Sequence, residues 1–295
     1  MIRPARFGFN DQTAETNVFQ HQQQETDLHL TAIREFDVAV SVLRAAGVYV
    51  LVVDSTDVAA PDAIFPNNWI STHREGRIVV YPMMAPNRRR ECTTELLNVV
   101  AAYCGASIVD DLRSYTDHPA FLEGTGSIVF DHVSRIAYAV LSPRTSKEVL
   151  NELCKRINYR PVTFHCNDIR HQPVYHTNVV MCMGEGLAVL YVKGIPEPER
   201  QELIDIIRMS GRTLVEIDHD QMESFCGNML LLSDQRKQLL MVVSSTAYRA
   251  LREDQKAILF EKAVPVVIDI PVIERVGGGG IRCMLAELYR KEAES

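Results

Sequence analysis

The sequence predicts an α/β protein with the architecture of a five-bladed α/β propeller and pseudo-fivefold symmetry. Two observations lead to this prediction. Hairpin, helix and strand patterns recur in the same order four times along the 295 residues. A fifth unit begins at Gly280, where too little chain remains to complete it, so the beginning of the chain must supply the remainder. A ring that joins the two ends in this way leaves no open sheet edge.

Each repeat opens with a short segment, here called the anchor, that leads into a predicted β-hairpin. Turn-forming residues separate the two strands, and the apolar return strand follows twelve residues after the anchor begins. The anchors and then Gly280 follow one another at intervals of 50 to 58 residues. The four anchors are Asn68-Trp69-Ile70, Gly126-Ser127-Ile128, Asn178-Val179-Val180 and Asn228-Met229-Leu230.

A segment with helical periodicity and a short strand follow each hairpin. The predicted helices are 90–104, 145–157, 197–210 and 247–262, and the strands after them are Ala106–Val109, Pro161–Phe164, Thr213–Ile217 and Pro265–Ile270. The fifth unit takes a strand near Arg3–Phe9, a helix near Asp27–Ala46 and a strand at Val48–Val53. We therefore expect one domain over residues 1–295, closed by pairing of the N- and C-terminal segments.

Composition excludes several classes of partner. The net charge of −7 and a pI near 5.7 argue against nucleic acid and anionic membranes, and no apolar run is long enough to span a bilayer. The dense basic run Arg88-Arg89-Arg90 is either a solvated helix start or part of a substrate site. Met1-Ile2-Arg3-Pro4 lacks the apolar core of a secretion signal. Seven cysteines without a Cys-x-x-Cys pair predict reduced thiols in the cytoplasm and no metal site.

In a ring of repeats, equivalent positions of every unit point toward the central axis. Side chains beside the anchors should therefore meet there although they are distant in sequence. They are Asn67, Asn68, Glu123, His176, Asn178, Cys226 and Cys283. A thiol, a histidine that moves protons and an orienting carboxylate are the parts of a nucleophilic site. Taken singly, His176 is more often a satisfied polar group and Glu123 a turn residue, so their shared register carries the prediction.

Cys283 is the predicted nucleophile. It follows Gly277-Gly278-Gly279-Gly280, where the backbone can approach a ligand closely, and Arg282 beside it favours the thiolate. The alternative is a small buried core cysteine. Cys226 also flanks an anchor, but it lacks a glycine run, and we expect it to serve in packing.

These motifs resemble the guanidino-group-modifying superfamily with the pentein fold, which includes arginine deiminases, dimethylarginine hydrolases and amidinotransferases. The resemblance covers nearly the whole chain and is strongest toward bacterial citrulline-utilisation hydrolases. The motifs that carry it are Phe65-Pro66-Asn67-Asn68-Trp69, Leu122-Glu123-Gly124, Tyr175-His176-Thr177-Asn178 and the glycines before Cys283.

The resemblance implies a role for each site residue. Cys283 would be the nucleophile, His176 the general acid and base, and Glu123 a carboxylate that contacts substrate or histidine. Arg88 and Arg144 would hold the α-carboxylate of a small amino-acid substrate, a task that suits the guanidinium fork. The substrate-binding amides would be Asn178 and either Asn67 or Asn68. No cofactor enters, and whether the chain forms a homodimer or closes a loop near residues 7–19 over the substrate stays open.

Two departures from the arginine deiminase pattern bear on the substrate. Aspartates of that family pair with the guanidinium, whereas this chain has Asn68 and Asn178. A buried guanidinium without its carboxylates is penalised by about 3–5 kcal/mol, which is about two to three orders of magnitude. A neutral ureido group has no charge to compensate, so the sequence predicts hydrolysis of citrulline to ornithine, ammonia and carbon dioxide. The alternatives are a guanidino-directed deiminase, dimethylarginine hydrolase or amidinotransferase, and a pentein that only binds.

Overall fold

The structure is a computed structural model that describes residues 1–22 and 27–290. In that part of the chain, four three-stranded sheets and one two-stranded sheet are formed. The strands are β1 Ile2–Arg3, β2 Val53–Asp54, β3 Ile70–His73, β4 Arg77–Val80, β5 Ile108–Asp111, β6 Val129–Asp131, β7 Ile136–Val140, β8 Arg160–Phe164, β9 Met181–Gly184, β10 Leu187–Tyr191, β11 Thr213–Ile217, β12 Leu230–Ser233, β13 Leu239–Ser244 and β14 Val264–Ile268.

The four larger sheets share one topology. An antiparallel hairpin supplies the first two strands, and its second strand pairs in parallel with a third strand that follows a helix. The same order holds for β9-β10-β11 and β12-β13-β14. A parallel pair needs such a crossover, and the central strands are buried because both their faces are covered. The four predicted hairpins and the strands after them are confirmed.

The helices lie between these strands, and the apolar faces of the longer ones pack on the sheets. They are α1 Asp11–Ala14, α2 Leu28–Ala45, α3 Thr94–Cys104, α4 Gly124–Ser127, α5 Lys147–Ile157, α6 Thr177–Val180, α7 Glu197–Met209, α8 His219–Glu223, α9 Ser245–Ala250 and α10 Glu253–Leu259. Four 3-10 turns at Pro66–Asn68, Pro86–Arg90, Arg113–Asp117 and Ile281–Met284 and a π-helical turn at Ile273–Gly277 complete the elements.

Two predicted helices differ from those observed. The segment 90–104 becomes helical only at Thr94, because the 3-10 turn Pro86–Arg90 precedes it and the Thr93 side chain caps the first turn of α3. The predicted helix 247–262 is two helices, α9 and α10. They are separated at Leu251, whose backbone is extended and whose side chain is buried.

The N-terminal part of the predicted fifth unit is only partly formed. The strand expected over Arg3–Phe9 is limited to Ile2–Arg3, because Pro4 has no N–H group to continue a ladder. Its parallel partner is correspondingly short, Val53–Asp54 instead of Val48–Val53. Residues 285–290 form no strand, and the Thr72 hydroxyl of β3 donates to the Glu287 carbonyl at 2.9 Å. The N- and C-terminal segments meet where the backbone N–H of His21 donates to the Arg275 carbonyl at 2.8 Å. The predicted helix of this unit is confirmed as α2.

Close backbone contacts join each anchor to the next. A Cβ atom on Gly124 would lie 2.2 Å from the carbonyl oxygen of Asn67, and one on Gly227 would lie 2.2 Å from that of Val179. Glycine permits such an approach because it has no side chain. Further tight contacts join Gly126 to His176, Gly280 to Asn228, and Gly277 to Phe65. The segments at the anchors therefore touch in chain order, and the glycine run before Gly280 touches Phe65, which precedes the first anchor.

The contact between the third and fourth anchors can be tested with Gly227→Ala. The new methyl group would overlap the Val179 carbonyl, so the backbone must shift, and we expect the free energy of unfolding to fall by about 1–3 kcal/mol. Urea unfolding measures this. Gly8→Ala is the matched control, since no atom lies within 4 Å of its added Cβ, and it should change stability by less than about 0.5 kcal/mol. Equal effects of the two changes would contradict the crowding.

Candidate active site

A narrow cavity lies where the anchors meet. Its volume is about 20 Å³, enough for roughly one water molecule. Its walls consist of Thr13, Asn17, Asp62, Phe65, Asn68, Arg88, Arg144, Tyr175, His176, Gly277, Gly278, Gly279 and Cys283. Five of the eight residues predicted for the site therefore line one cavity. Glu123 and Asn178 lie behind this wall and bond to His176 and Cys283, whereas Asn67 is buried and does not line it.

Cys283 lies in the 3-10 turn Ile281–Met284 after the glycine run, in which Gly278 has a φ of +64°. The amide groups of Asn178 and Asn228 donate to its Sγ atom at 3.4 and 3.3 Å. Burial raises the pKa of the Cys283 thiol, while these two amides and Arg282 oppose the shift. The resting sulfur is therefore a thiol at neutral pH, in a site with donors for the anion.

His176 and Glu123 form a buried pair, with Nε2 and Oε2 2.8 Å apart. Burial raises the pKa of Glu123, but Arg144 and His176 outweigh it and hold that pKa well below its usual range. An ionised carboxylate can only accept, so Nε2 of His176 carries the proton and Nδ1 is the basic nitrogen. Burial lowers the pKa of His176 to about 4 despite Glu123, so the ring is neutral at pH 7 and can accept a proton.

Arg88 is buried, in contrast to a solvated helix start, whereas Arg89 and Arg90 of the same run are exposed. Two bonds of 2.9 Å pair its guanidinium with Glu91. Its Nη1 donates to Oδ1 of Asn68 at 2.7 Å. Burial raises the pKa of Glu91 to about 7, against the effect of Arg88. Because Glu91, Asn68 and the Phe65 carbonyl accept from its guanidinium, most of the donors of Arg88 are occupied by the protein.

Arg144 is also buried, but the N-terminal segment over the cavity supplies most of its partners. Its guanidinium donates to the Thr13 carbonyl at 2.7 Å and to the Thr16 hydroxyl at 2.8 Å, and it lies over the ring of Tyr175. The same segment continues to Asn17, whose amide donates to the Gly278 carbonyl at 3.3 Å. Residues 13–17 therefore close the cavity, and any ligand larger than water requires them to move.

The orientation of the Asn68 amide follows from its neighbour. Arginine has donors and no acceptor, so Oδ1 of Asn68 must face Arg88. The Nδ2 group is then directed away from Arg88, and it is buried without a partner. Oδ1 of Asp62 is likewise buried and unpaired, and burial raises the pKa of this carboxyl group. An unsatisfied buried group costs about 1–3 kcal/mol, which a ligand can recover.

Sequence analysis missed several residues of this site, and Asn228 and Asp62 are the two that bear most on its chemistry. Asn228 had been recognised only as the start of the fourth anchor, and its place in the repeat could have assigned it, since the equivalent Asn178 was assigned. Asp62 lies in a loop before the first anchor, outside the repeated pattern, and no sequence signal marks it. Cys226 is buried, and its thiol donates to the Ala247 carbonyl at 3.4 Å, as a packing role would allow.

Neither a metal site nor a membrane span is visible in residues 1–22 and 27–290. No group of three or more histidine, cysteine, aspartate or glutamate side chains there is arranged to hold an ion. The helices of this part are all too short or too polar to cross a bilayer.

Comparison with protein families places the chain. A family model described as "N,N dimethylarginine dimethylhydrolase, eukaryotic" matches residues 3–290. The chain belongs to this family. It is thereby a member of the guanidino-modifying pentein superfamily, as its motifs suggested. No curated protein sequence matches it.

Solved structures show the same pentein fold at low sequence identity. The N-terminal domain of ArgZ, "an arginine dihydrolase from the Ornithine-Ammonia Cycle in Cyanobacteria", matches in a substrate-bound mutant with a TM-score of 0.77 and 16% identity, over 99% of this chain and 97% of that one. Unliganded AgrE matches with a TM-score of 0.75 and 14% identity, over 100% of this chain and 39% of that one. A dimethylarginine dimethylaminohydrolase adduct with 4-chloro-2-hydroxymethylpyridine matches with a TM-score of 0.65 and 15% identity, over 96% of each chain.

Folding stability should depend on pH through His176. Its pKa is about 6.5 in an unfolded chain and about 4 in this pentein, so between these values the unfolded state binds more protons. The free energy of unfolding therefore falls as the pH is lowered from 6.5 to 4. His176→Gln should reduce this slope in urea unfolding, and the part due to His73, whose pKa burial also lowers to about 4, should remain. An unchanged slope would show that His176 is not held neutral.

Glu123→Gln should destabilise the protein strongly, because it leaves the buried guanidinium of Arg144 without its counter-charge. The expected loss in free energy of unfolding is about 3–5 kcal/mol by chemical denaturation. Glu199→Gln is the matched control: it removes a histidine–glutamate pair with His165 that is partly exposed, and should cost less than about 1 kcal/mol. Similar losses in both variants would refute the charge assignment at Glu123.

Proposed function

We propose that the chain is a cysteine hydrolase that acts on the ureido carbon of citrulline and releases ornithine, ammonia and carbon dioxide. The observation that carries this proposal is the orientation of Asn68. Arg88 accepts no hydrogen bond, so it holds Oδ1 of Asn68 and leaves Nδ2 as the donor. A ureido oxygen can accept from that donor, whereas a guanidinium presents only N–H groups and a positive charge to it.

The reaction begins with proton transfer from the Cys283 thiol to Nδ1 of His176, which Glu123 orients through Nε2. The thiolate attacks the ureido carbon, and Nδ2 of Asn68 donates to the oxyanion that forms. The tetrahedral intermediate expels an amine, which takes the proton from His176, and a thiocarbamate on Cys283 remains. Water that loses a proton to His176 then attacks the same carbon and frees the sulfur. The carbamate that is released decomposes to the second amine and carbon dioxide.

The amino-acid end of the substrate would lie toward Arg144 and Asp62. Arg144 holds the α-carboxylate once residues 13–17 move, because the Thr13 and Thr16 oxygens that now bond it are replaced by carboxylate oxygens. The unpaired Oδ1 of Asp62 accepts from the α-ammonium group. Arg88 acts mainly by orienting Asn68, since Glu91 and Phe65 occupy its other donors.

The proposal includes the architecture predicted from the repeats. Residues 1–295 form one domain whose five sheets are the blades of a closed propeller. The circle of anchor contacts supports this, since Gly277 beside the nucleophile lies against Phe65 of the first unit. Seven free thiols among the described residues agree with the predicted reducing, cytoplasmic location.

A guanidino-directed activity is the second candidate. The family model is named for a dimethylarginine hydrolase, and ArgZ is described as an arginine dihydrolase. Three buried carboxyl groups, Asp62, Glu91 and Glu123, also lie in or behind the cavity wall. Two of them are paired with Arg88 and Arg144, however, so only Asp62 has a free oxygen.

A product assay separates the two candidates. We expect the purified protein to convert citrulline to ornithine and ammonia with a kcat/KM at least about 100-fold above those for arginine and dimethylarginine, the ratio that an unpaired buried guanidinium implies. Cys283→Ser should abolish turnover, and Cys226→Ser, the matched control at the other anchor cysteine, should retain it. Chromatography of the amino acids and an ammonia assay provide the measurement.

Asn68→Asp tests the deciding interaction within the same assay. It replaces the free donor by an acceptor of the same shape, so kcat/KM for citrulline should fall by about 100-fold or more while arginine gains relative to it. A wild-type protein that turns over arginine or dimethylarginine but not citrulline would replace the proposal by the second candidate.

A further inference from the structure

The side chain of Asn228 connects three parts of the site that come from different units. Its Nδ2 group lies 3.3 Å from the sulfur of Cys283 and 2.9 Å from the carbonyl oxygen of Asn178. Its Oδ1 atom lies 3.1 Å from the backbone nitrogen of Arg282. The side chain is 1% exposed, so water does not compete for these bonds.

The orientation of this amide is determined by its partners. The backbone N–H of Arg282 can only donate, so it must face Oδ1, and the Asn178 carbonyl can only accept, so it must face Nδ2. The second hydrogen of Nδ2 is then available to the sulfur at 3.3 Å, while Oδ1 lies 3.7 Å from the same sulfur and accepts from the thiol in its protonated form. The lack of a side chain at Gly280 is part of this arrangement, because a Cβ atom there would lie 2.7 Å from Oδ1 of Asn228.

Arg282, the charged residue next to Cys283 in sequence, directs its guanidinium to other partners. The guanidinium of Arg282 donates to the Leu285 carbonyl at 2.7 Å and to Glu287 at 3.1 Å. The hydrogen-bond donors at the sulfur are instead the amides of Asn178 and Asn228. Charge-assisted hydrogen bonds of this kind are stronger than neutral ones, so both amides bind the thiolate better than the thiol.

The second anchor cysteine provides an internal comparison. Cys226 and Cys283 are both buried, but the sulfur of Cys226 faces the carbonyl oxygen of Ala247, which accepts from the thiol and repels a thiolate. Burial raises the pKa of Cys226 to about 12. Of the two anchor cysteines, only Cys283 has amide donors at its sulfur.

We infer that Asn228 is a catalytic residue that stabilises the Cys283 thiolate by direct N–H donation, a role separate from substrate binding. The inference rests on the proposed function only in taking Cys283 as the nucleophile. No proton leaves Asn228. The thiol proton moves to Nδ1 of His176, and the N–H group of Asn228 donates to the sulfur more strongly once the sulfur is negatively charged. Once the sulfur bonds to the substrate carbon its charge is lost, so Asn228 favours formation of the thiolate rather than its attack.

Alkylation of the thiol by iodoacetamide tests this without any substrate. The tryptic peptide 283–290 contains Cys283 as its single cysteine, so mass spectrometry follows its rate of labelling at each pH. In Asn228→Ala the midpoint of the rate–pH curve should move up by about one to two pH units, which makes labelling about 10- to 100-fold slower at pH 7. Above the new midpoint the rate should reach the wild-type plateau.

Asn228→Asp is the matched variant of the same shape. It retains an acceptor for the Arg282 N–H but presents a carboxylate oxygen to the sulfur, so its midpoint should be at least as high as that of the alanine variant. Labelling of Cys154, which is buried in helix α5, reports unfolding in either protein. If the alanine variant does not fold, the alkylation midpoint of the aspartate variant tests the inference.

Midpoints equal to that of wild type would overturn the inference. A rate lowered by the same factor at every pH, the plateau included, would also overturn it, because it would indicate a merely structural role. Failure of the citrulline assay with a shifted midpoint would leave the role of Asn228 intact and remove only the proposed substrate. The acid limb of the kcat/KM profile should move with the alkylation midpoint for any substrate that is turned over.

Discussion

Close packing of the anchor backbones is the constraint on which the rest of the structure depends. Gly124 and Gly227 bring one unit against the carbonyl groups of the unit before it, at distances where no side chain fits. Because the four anchors and the glycine run before Gly280 meet so closely, the polar residues beside them are brought to one place. The thiol of Cys283 and the imidazole of His176, from two units, thus line one cavity, and the carboxyl group of Glu123, from a third, lies directly behind its wall.

Burial then determines the chemistry of those groups. Glu123 stays ionised because Arg144 and His176 outweigh its loss of hydration, and its negative charge selects the tautomer of His176. His176 stays neutral because burial outweighs the same carboxylate. The Cys283 thiol shares the cavity with the neutral His176, and two amide groups donate to its sulfur. This arrangement suits the proposed reaction, which starts only when substrate displaces the residues over the cavity.

Prediction from sequence succeeded where the repeat is strong. Four hairpins and the helices and strands after them follow from alternating apolar residues and turn formers, which act locally. It was wrong where a single local feature overrode periodicity, as at Pro4, which ends β1, and at Leu251, which separates α9 from α10. Of the site, Cys283, His176 and Asn68 could be placed at the cavity because equivalent positions of the predicted ring would share one axis.

The sequence alone indicated that Asn68, His176 and Cys283 would meet, since register within a repeat is a property of spacing, whereas Asp62 lies outside the repeat and could not be placed. Only the tertiary structure decided what each polar atom does there. That Arg88 orients Asn68, that Asn228 donates to the sulfur and that Asp62 has a free oxygen all depend on partners far away in the chain. Hydrogen-bond direction is set by the atom on the other side of the bond, and sequence spacing does not specify that atom.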